Sequence, residues 1–583
     1  MPRISSQHKS VIAGATAGIG LFLASLAPAA LNYRTVALTG TDGTYGPGQG
    51  AGVTFASLTS VQPALNTAGQ VAFRGTNSST GNPNGLWLRT GSANDVLAIN
   101  GGAQPGGGTY PTGASALFNT YHVNNAGQAA WRLGAGSGAF ATAAGTPTRF
   151  ILAGDGAPGT TTSGPLATYS SISSGMPLFN QAGQVAVMAS LTPNAALTPP
   201  VVATAGIANG SGIWIGQPSS PQLVLRQNDE LLSLDPTGNT RIGAMQNLGF
   251  VFNGNGRFAV VTNLQGSNVV TGTGSLGNST MIATNRTGPL TAAARVGSPA
   301  PDASGTPSSN LYRTIATSAP GLNDLGHVAF TGTLRDSAGT QTSAGALFTD
   351  SGSGTLRMVA KAGDAMPIVS SRTGAPLSEF NGVTWGSIFG NTLLNRSDEM
   401  LVVATGLGNT GGTNNTGAML LMDGAGGFEK IQRNGDVAIV GGAPGGTDAF
   451  FSSTSNVQFN SLGQVAFTSN LTGVGVSVGA GNGLALWVSD VDGTLHKIAR
   501  TSDTFEVAPG DVRTITNIGG LGTSGGQDGR PINLSDTGDL AFQLDFSDGS
   551  SGVFVVSVPE PSLALSGAAA LGGLAVRRRR SRR

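Results

Sequence analysis

The sequence contains no cysteine and only four histidines. The first absence excludes disulfide bridges, thiolate chemistry and cysteine-ligated zinc. It leaves the compartment open, because a chain of 583 residues can bury a sizeable core without covalent staples. Charge is scarce, with Asp, Glu, Lys and Arg together making up 10% of the residues, and aromatic side chains 6%. No Gly-x-Ser-x-Gly elbow, His-Glu-x-x-His helix or phosphate-binding loop occurs, so no familiar catalytic motif is present. Glycine is abundant instead: 92 residues, beside 29 prolines. With many Ser, Thr and Asn and few Lys and Glu, this balance favours strands joined by tight turns. The composition predicts an all-β protein.

The ends differ from the body. Arg3 and Lys9 precede an apolar run from Val11 to about Ala27, followed by the small-x-small triplet Ala27-Pro28-Ala29. A basic start, an apolar stretch and small residues at the cleavage point predict a secretory signal peptide over residues 1–29, cut by signal peptidase after passage through the Sec translocon, with an uncleaved N-terminal membrane helix as the alternative. At the other end, six arginines follow an apolar segment. With these termini set aside, 22 basic residues face 28 acidic ones, so the body carries about −6. A nucleic-acid partner requires a basic footprint on the folded surface. None is expected here.

An octapeptide recurs through the body. Asn66-Thr67-Ala68-Gly69-Gln70-Val71-Ala72-Phe73 returns with Asn124 and Gly127, Asn180 and Gly183, Asn253 and Gly256, Asn323 and Gly326, and Asn460 and Gly463 in the same places. Two degenerate copies start at Asn395, where Asp398 replaces the glycine, and at Ser535, which replaces the asparagine. The eight starts are spaced by 58, 56, 73, 70, 72, 65 and 75 residues. Asn opens a type I turn, and Gly three residues later takes the left-handed conformation that closes it. In the strand that follows, Val71 and Phe73 share one face and Ala72 the other. A strand apolar on both sides belongs between two neighbouring sheets.

Each copy continues into a Gly-apolar-aromatic strand, such as Gly85-Leu86-Trp87-Leu88, and a last strand running into a Pro- and Gly-containing loop. With the strand before the turn, every repeat supplies four antiparallel strands. The eighth copy meets Pro559 before making its fourth strand, while Thr35 to Gly40 looks like a fourth strand without a blade. Joining the two closes a ring and removes exposed sheet edges. The expectation is an eight-bladed β-propeller over residues 30–556; a β-solenoid or two tandem β-domains are the alternatives. The Asn-x-x-Gly-x-x-Ala-Phe blocks resemble the bacterial tandem-repeat family of choice-of-anchor NxxGxxAF-containing proteins. That resemblance implies an exported, surface-associated protein and no particular reaction.

Candidate chemistry is thin. Of the histidines in the body, His122 precedes a repeat turn, His327 takes a place filled by Gln in four other copies, and His496 lies on a last strand; none has an evident partner by spacing. Asp155, Asp229, Asp364, Asp436 and Asp503 recur at the end of fourth strands, where they either start a crossover turn or, gathered on one face, bind Ca²⁺. Asp350, Asp423 and Asp490 mark the hairpin before the last strand. Trp87, Trp131, Trp214 and Trp487 sit on repeat strands, which suits core packing, whereas Trp385 lies in an irregular stretch where a ring can serve a ligand. No cofactor is expected.

The tail, residues 557–583, contains Pro559-Glu560-Pro561, an apolar run from Leu563 to Val576, and Arg577, Arg578, Arg579 and Arg580. Fourteen apolar residues make a helix of about 21 Å, short of a ~30 Å hydrocarbon core. Such a segment inserts transiently in the inner membrane, with the arginines on the cytoplasmic side. Its order of parts resembles the PEP-CTERM sorting signal, which implies recognition by an exosortase, cleavage near Pro-Glu-Pro, and a link to exopolysaccharide. The functional expectation is a non-catalytic binding or structural protein of the cell surface or extracellular matrix, with matrix glycans as partners. A secreted polysaccharide-acting enzyme with a site assembled from several blades is the alternative.

Overall fold

The computed structural model describes residues 31–558 apart from 59–61, 82, 113–117, 163, 198–200, 203–208, 271–276, 287, 387 and 409–414. The leader with Ala27 and Ala29, and the sorting segment with Pro559, Glu560, Pro561 and Arg577 to Arg580, lie outside the described residues. The sequence also predicts short helical segments at both termini, and these too lie outside the described residues. No helix among the described residues is long and apolar enough to cross a membrane.

Eight antiparallel sheets of four to six strands follow one another along the chain as the blades of a β-propeller. The octapeptide explains the local structure of each blade. In the first, Ala64–Leu65 runs into the Asn66 turn and pairs with Val71–Asn77, which then pairs with Asn84–Arg89 and through it with Asn94–Ile99. The amide N–H of Gly69 donates to the Asn66 carbonyl at 3.1 Å, with Gly69 at φ +73°.

Both faces of the second strand are buried, as its sequence predicts. Val71 and Phe73 pack against Val553 and Val555 of the last blade, while Ala72 packs with Phe118 and Trp131 of the second. The same division recurs in blade five, where Val328 and Phe330 meet Val251 of blade four and Ala329 meets Leu394 of blade six. A large residue on one face and alanine on the other lets neighbouring sheets close to packing distance. Full burial of each Phe is worth about 1.5–3 kcal/mol.

The ring closes as the two ends of the sequence require. Asn32–Leu38 adds to Ser551–Ser557 as the outermost strand of the eighth blade, outside Asp539–Phe546 and Asp511–Gly519. Val36 and Ala37 are fully buried in the seam between blades eight and one. Asn32 stands opposite Ser557, Ser557 opposite Asp539, and the Val558 N–H donates to the Gly538 carbonyl at 3.0 Å. Both ends therefore leave the ring side by side, on the face that carries the asparagine turns.

Candidate functional site

The first asparagine of each repeat serves two turns at once. Asn66 Oδ1 accepts from the backbone N–H groups of Ala68 and Gln70 at 3.1 and 2.9 Å, which fixes its own turn. Its Nδ2 then donates to the backbone carbonyl of Asn124, the equivalent residue one blade on, at 2.8 Å. Asn124, Asn180, Asn253, Asn323, Asn395 and Asn460 repeat this bond to Asn180, Asn253, Asn323, Asn395, Asn460 and Ser535, at 3.5, 3.0, 2.7, 3.1, 3.0 and 2.8 Å. Seven side-chain amides thus form a buried belt around the axis. Ser535 has no amide to hand on, so the belt ends at the closing seam, where Arg34 of the closing strand donates to the Gly69 carbonyl at 2.8 Å.

The glycine of the motif is required twice over. Beyond its positive φ, a Cβ on Gly127 would stand 2.8 Å from Gln70 Oε1 of the preceding blade. Gln70 in turn accepts from Asn66 Nδ2 at 2.7 Å, so Asn, Gly and Gln interlock across this blade boundary, and Gln128, Gln184 and Gln464 stand against the next glycine in the same way. The degenerate copies compensate one another. Where His327 stands in place of Gln, Asp398 Oδ1 of the next copy takes the Asn323 amide at 2.7 Å and pairs with His327 Nδ1 at 2.6 Å. Asp398 holds the glycine position at φ +62°, a conformation that Asp tolerates better than most residues.

Inside the belt, the axis is filled by the chain itself. Between Gly519 and Ser535 the eighth blade sends a glycine-rich segment, LGTSGGQDGRPINL at 521–534, across the ring. Its carbonyls accept from blade one (Leu65 N–H to Ile532, 2.7 Å), blade three (Phe179 to Gly529, 3.0 Å), blade four (Phe252 to Asp528, 3.1 Å) and blade seven (Phe459 to Ser524, 3.0 Å). Gly529, at φ +78°, lies so close to blade four that a Cβ would stand 2.6 Å from the Phe252 carbonyl oxygen. Asp528 is buried and ion-paired with Arg530, and accepts from Ser524 Oγ and Gly525 N–H at 3.0 and 2.9 Å. Burial pushes its pKa up, but Arg530 and these donors outweigh that and hold the carboxyl below the usual carboxylate range. His122, buried against the same segment, is pushed down to about 4 by burial, with Asp528 pulling weakly the other way, so its imidazole is neutral at pH 7.

The variable second residue of the motif shapes the mouth above this plug. Asn125, Gln181, Gly254, Asp324, Arg396 and Asp536 surround a cavity of about 30 Å³ floored by Gln527, Gly529 and Arg530. A second circle of bonds joins them: the Asn125 N–H donates to Gln181 Oε1 at 2.8 Å, Gly254 to Asp324 Oδ1 at 2.9 Å, and Ser461 to Asp536 Oδ1 at 2.8 Å. Arg396 pairs with Asp324 at 2.8 Å, and that hydrogen bond, with Asp536 nearby, raises its pKa. The cavity admits water and excludes a sugar ring.

Other candidates separate into single blades. Asp155, Asp229 and Asp364 each accept from the N–H three residues back, of Leu152, Arg226 and Lys361, at 2.9, 2.7 and 3.2 Å; Asp436 and Asp503 pair with Lys430 and Lys497. These are crossover turns. Among the described residues no three His, Asp or Glu side chains gather as a metal site. Asp423 and Asp490 cap their hairpins, and Asp490 also meets His496 at 3.1 Å. Trp385, for which the sequence leaves core packing and a ligand role both open, is 4% exposed and packs on Phe428 inside the core of blade six, because the loop that carries it folds back over that sheet. Trp87, Trp131, Trp214 and Trp487 are core residues, as their strand positions predict. The plug escaped the sequence reading, although one signal was there: the last repeat reaches its turn through a glycine-rich run where other copies have a strand.

The chain belongs to the family of unknown function DUF7453, whose profile it matches over residues 2–199 and 201–565. No curated protein matches the sequence. Among solved structures, a puromycin-hydrolyzing peptidase of Mycobacterium tuberculosis is similar at 10% identity and a TM-score of 0.35, covering 88% of this chain and 62% of that one. The sialidase of Trypanosoma rangeli is similar at 10% identity and a TM-score of 0.29, covering 70% and 58%. An alpha-L-arabinanase of Penicillium chrysogenum shows 11% identity and a TM-score of 0.22, covering 68% and 99%. The chain thus spans less than two thirds of the length of the peptidase and the sialidase.

Proposed function

We propose that this propeller is an exported cell-surface or matrix protein with a binding or structural role, delivered by an exosortase that reads the tail at Pro559-Glu560-Pro561. The observation that carries the non-catalytic part is the plug. A glycosidase-type cleft needs an open axis with acidic groups free to act on a sugar, and here the axis holds the segment 521–534, whose one carboxylate is ion-paired and buried. The delivery part is supported by the order of parts in the tail, Pro559-Glu560-Pro561, an apolar run and an arginine cluster.

Incubating the purified protein with the exopolysaccharide of the cells that make it tests the reading. Co-sedimentation without release of reducing sugar is the expected result. Release of sugar would instead make it a polysaccharide-acting enzyme with a site outside the axis.

A further inference from the structure

We infer that the groove beside the closing strand binds a segment of an acidic polysaccharide, one bearing uronate carboxylates; this rests on the matrix reading above and names its ligand. The groove runs between the closing strand and the crossover that begins blade eight, with a volume of about 860 Å³, within the range of ligand sites. Tyr33, Arg34, Tyr45, Arg89, Lys497 and Phe505 are among its lining residues.

The groove carries more positive than negative side chains. Lys497 is matched by Asp503 at 2.7 Å, and Glu506 Oε1 accepts the Gly510 N–H at 2.8 Å. Arg34 and Arg89 have no carboxylate within ion-pair distance among the described residues. Arg34 donates to the Gly69 carbonyl, and Arg89 to the carbonyls of Gly91, Val36 and Thr44. Asp539 acts on Arg34 only beyond ion-pair distance and accepts from Ser557 Oγ at 2.5 Å. Arg34, Arg89 and Lys497 outnumber the two carboxylates that line the groove, Asp503 and Glu506, a local excess of positive charge that is unexpected on a body of net charge about −6, and Arg34 raises the cost of charge on Arg89.

A carboxylated polymer supplies what is missing. The planar fork of Arg34 matches a carboxylate in two-point contact. Tyr33 and Tyr45 are half-buried, and the Tyr33 ring is held edge-on to Phe505 at 5.1 Å, so aromatic surface borders the charges where a sugar face can rest. Arg34 also borders a second hollow of about 480 Å³ with Gln70, Thr90 and Asp539. A polymer can therefore continue past the arginine, which a single small anion cannot use.

Affinity electrophoresis of the full-length protein in gels containing polygalacturonate or dextran decides this. Retardation by polygalacturonate and not by dextran is expected, weakening in high salt. Arg34→Glu should lower the affinity about tenfold or more, the loss of one charge-assisted contact. Arg241→Glu, an equal charge reversal on blade four, should leave it within about twofold. No retardation of the wild type, or equal weakening by both variants, would overturn the inference. The matrix reading fails separately, if polygalacturonate is cleaved or the protein is absent from the cell exterior.

Discussion

At the scale of the residue, the asparagine that begins each repeat is a joint between blades as well as a turn former. Asn253 shows this most fully: its Oδ1 accepts from the N–H groups of Asn255 and Arg257 at 3.0 and 2.9 Å, and its Nδ2 donates to the Asn323 carbonyl at 2.7 Å. The side chain is fully buried. Asn253→Ala removes all three bonds and leaves buried backbone groups unpaired, a cost of about 2–4 kcal/mol, measurable as a lower midpoint of urea denaturation. The turn was legible in the sequence because Asn and Gly act locally, through their own backbone preferences. The bond to the next blade was not, because a spacing of 56 to 75 residues gives no sign of which carbonyl a side chain will reach. His327 and Asp398 make the same point: each looks like a defect in its own copy, and only their neighbourhood shows that one repairs the other.

At the scale of the element, two segments complete the ring from opposite ends of the chain. The closing strand was legible, since an orphan strand at one terminus and a missing one at the other have a single economical solution. The plug was not legible, because glycine-rich sequence reads as loose loop and only the ring around it supplies donors for its carbonyls. The closing strand also carries the seam's apolar contacts, with Val36 facing Val553 and Val555 in one cluster. Val36→Asp would place a carboxylate there without a partner, at a cost of several kcal/mol. Hydrogen exchange followed by mass spectrometry should then show faster exchange in Asn32–Leu38 and Ser551–Ser557, with blades three to five still protected. Unchanged exchange at the seam would mean that the ring does not depend on this strand.

At the scale of the whole molecule, the architecture separates what is repeated from what varies. Asn, Gly, Ala and the large apolar residues of the motif build the belt and the layers between blades. The second motif position holds seven different residue types over the eight copies, and six of the eight line the axial mouth. The seam has a further character: among the described residues Arg34 and Arg89 have no carboxylate within ion-pair distance, and residues 32 and 557 stand side by side. In this account the ring is the working protein, and the segments on either side of it are addresses removed during delivery. The intact mass of the protein recovered from the outer surface of the cells tests that directly. A chain that begins near residue 30 and ends near Pro559 is expected. Recovery of the unprocessed 583-residue chain, in the cytoplasm, would contradict it.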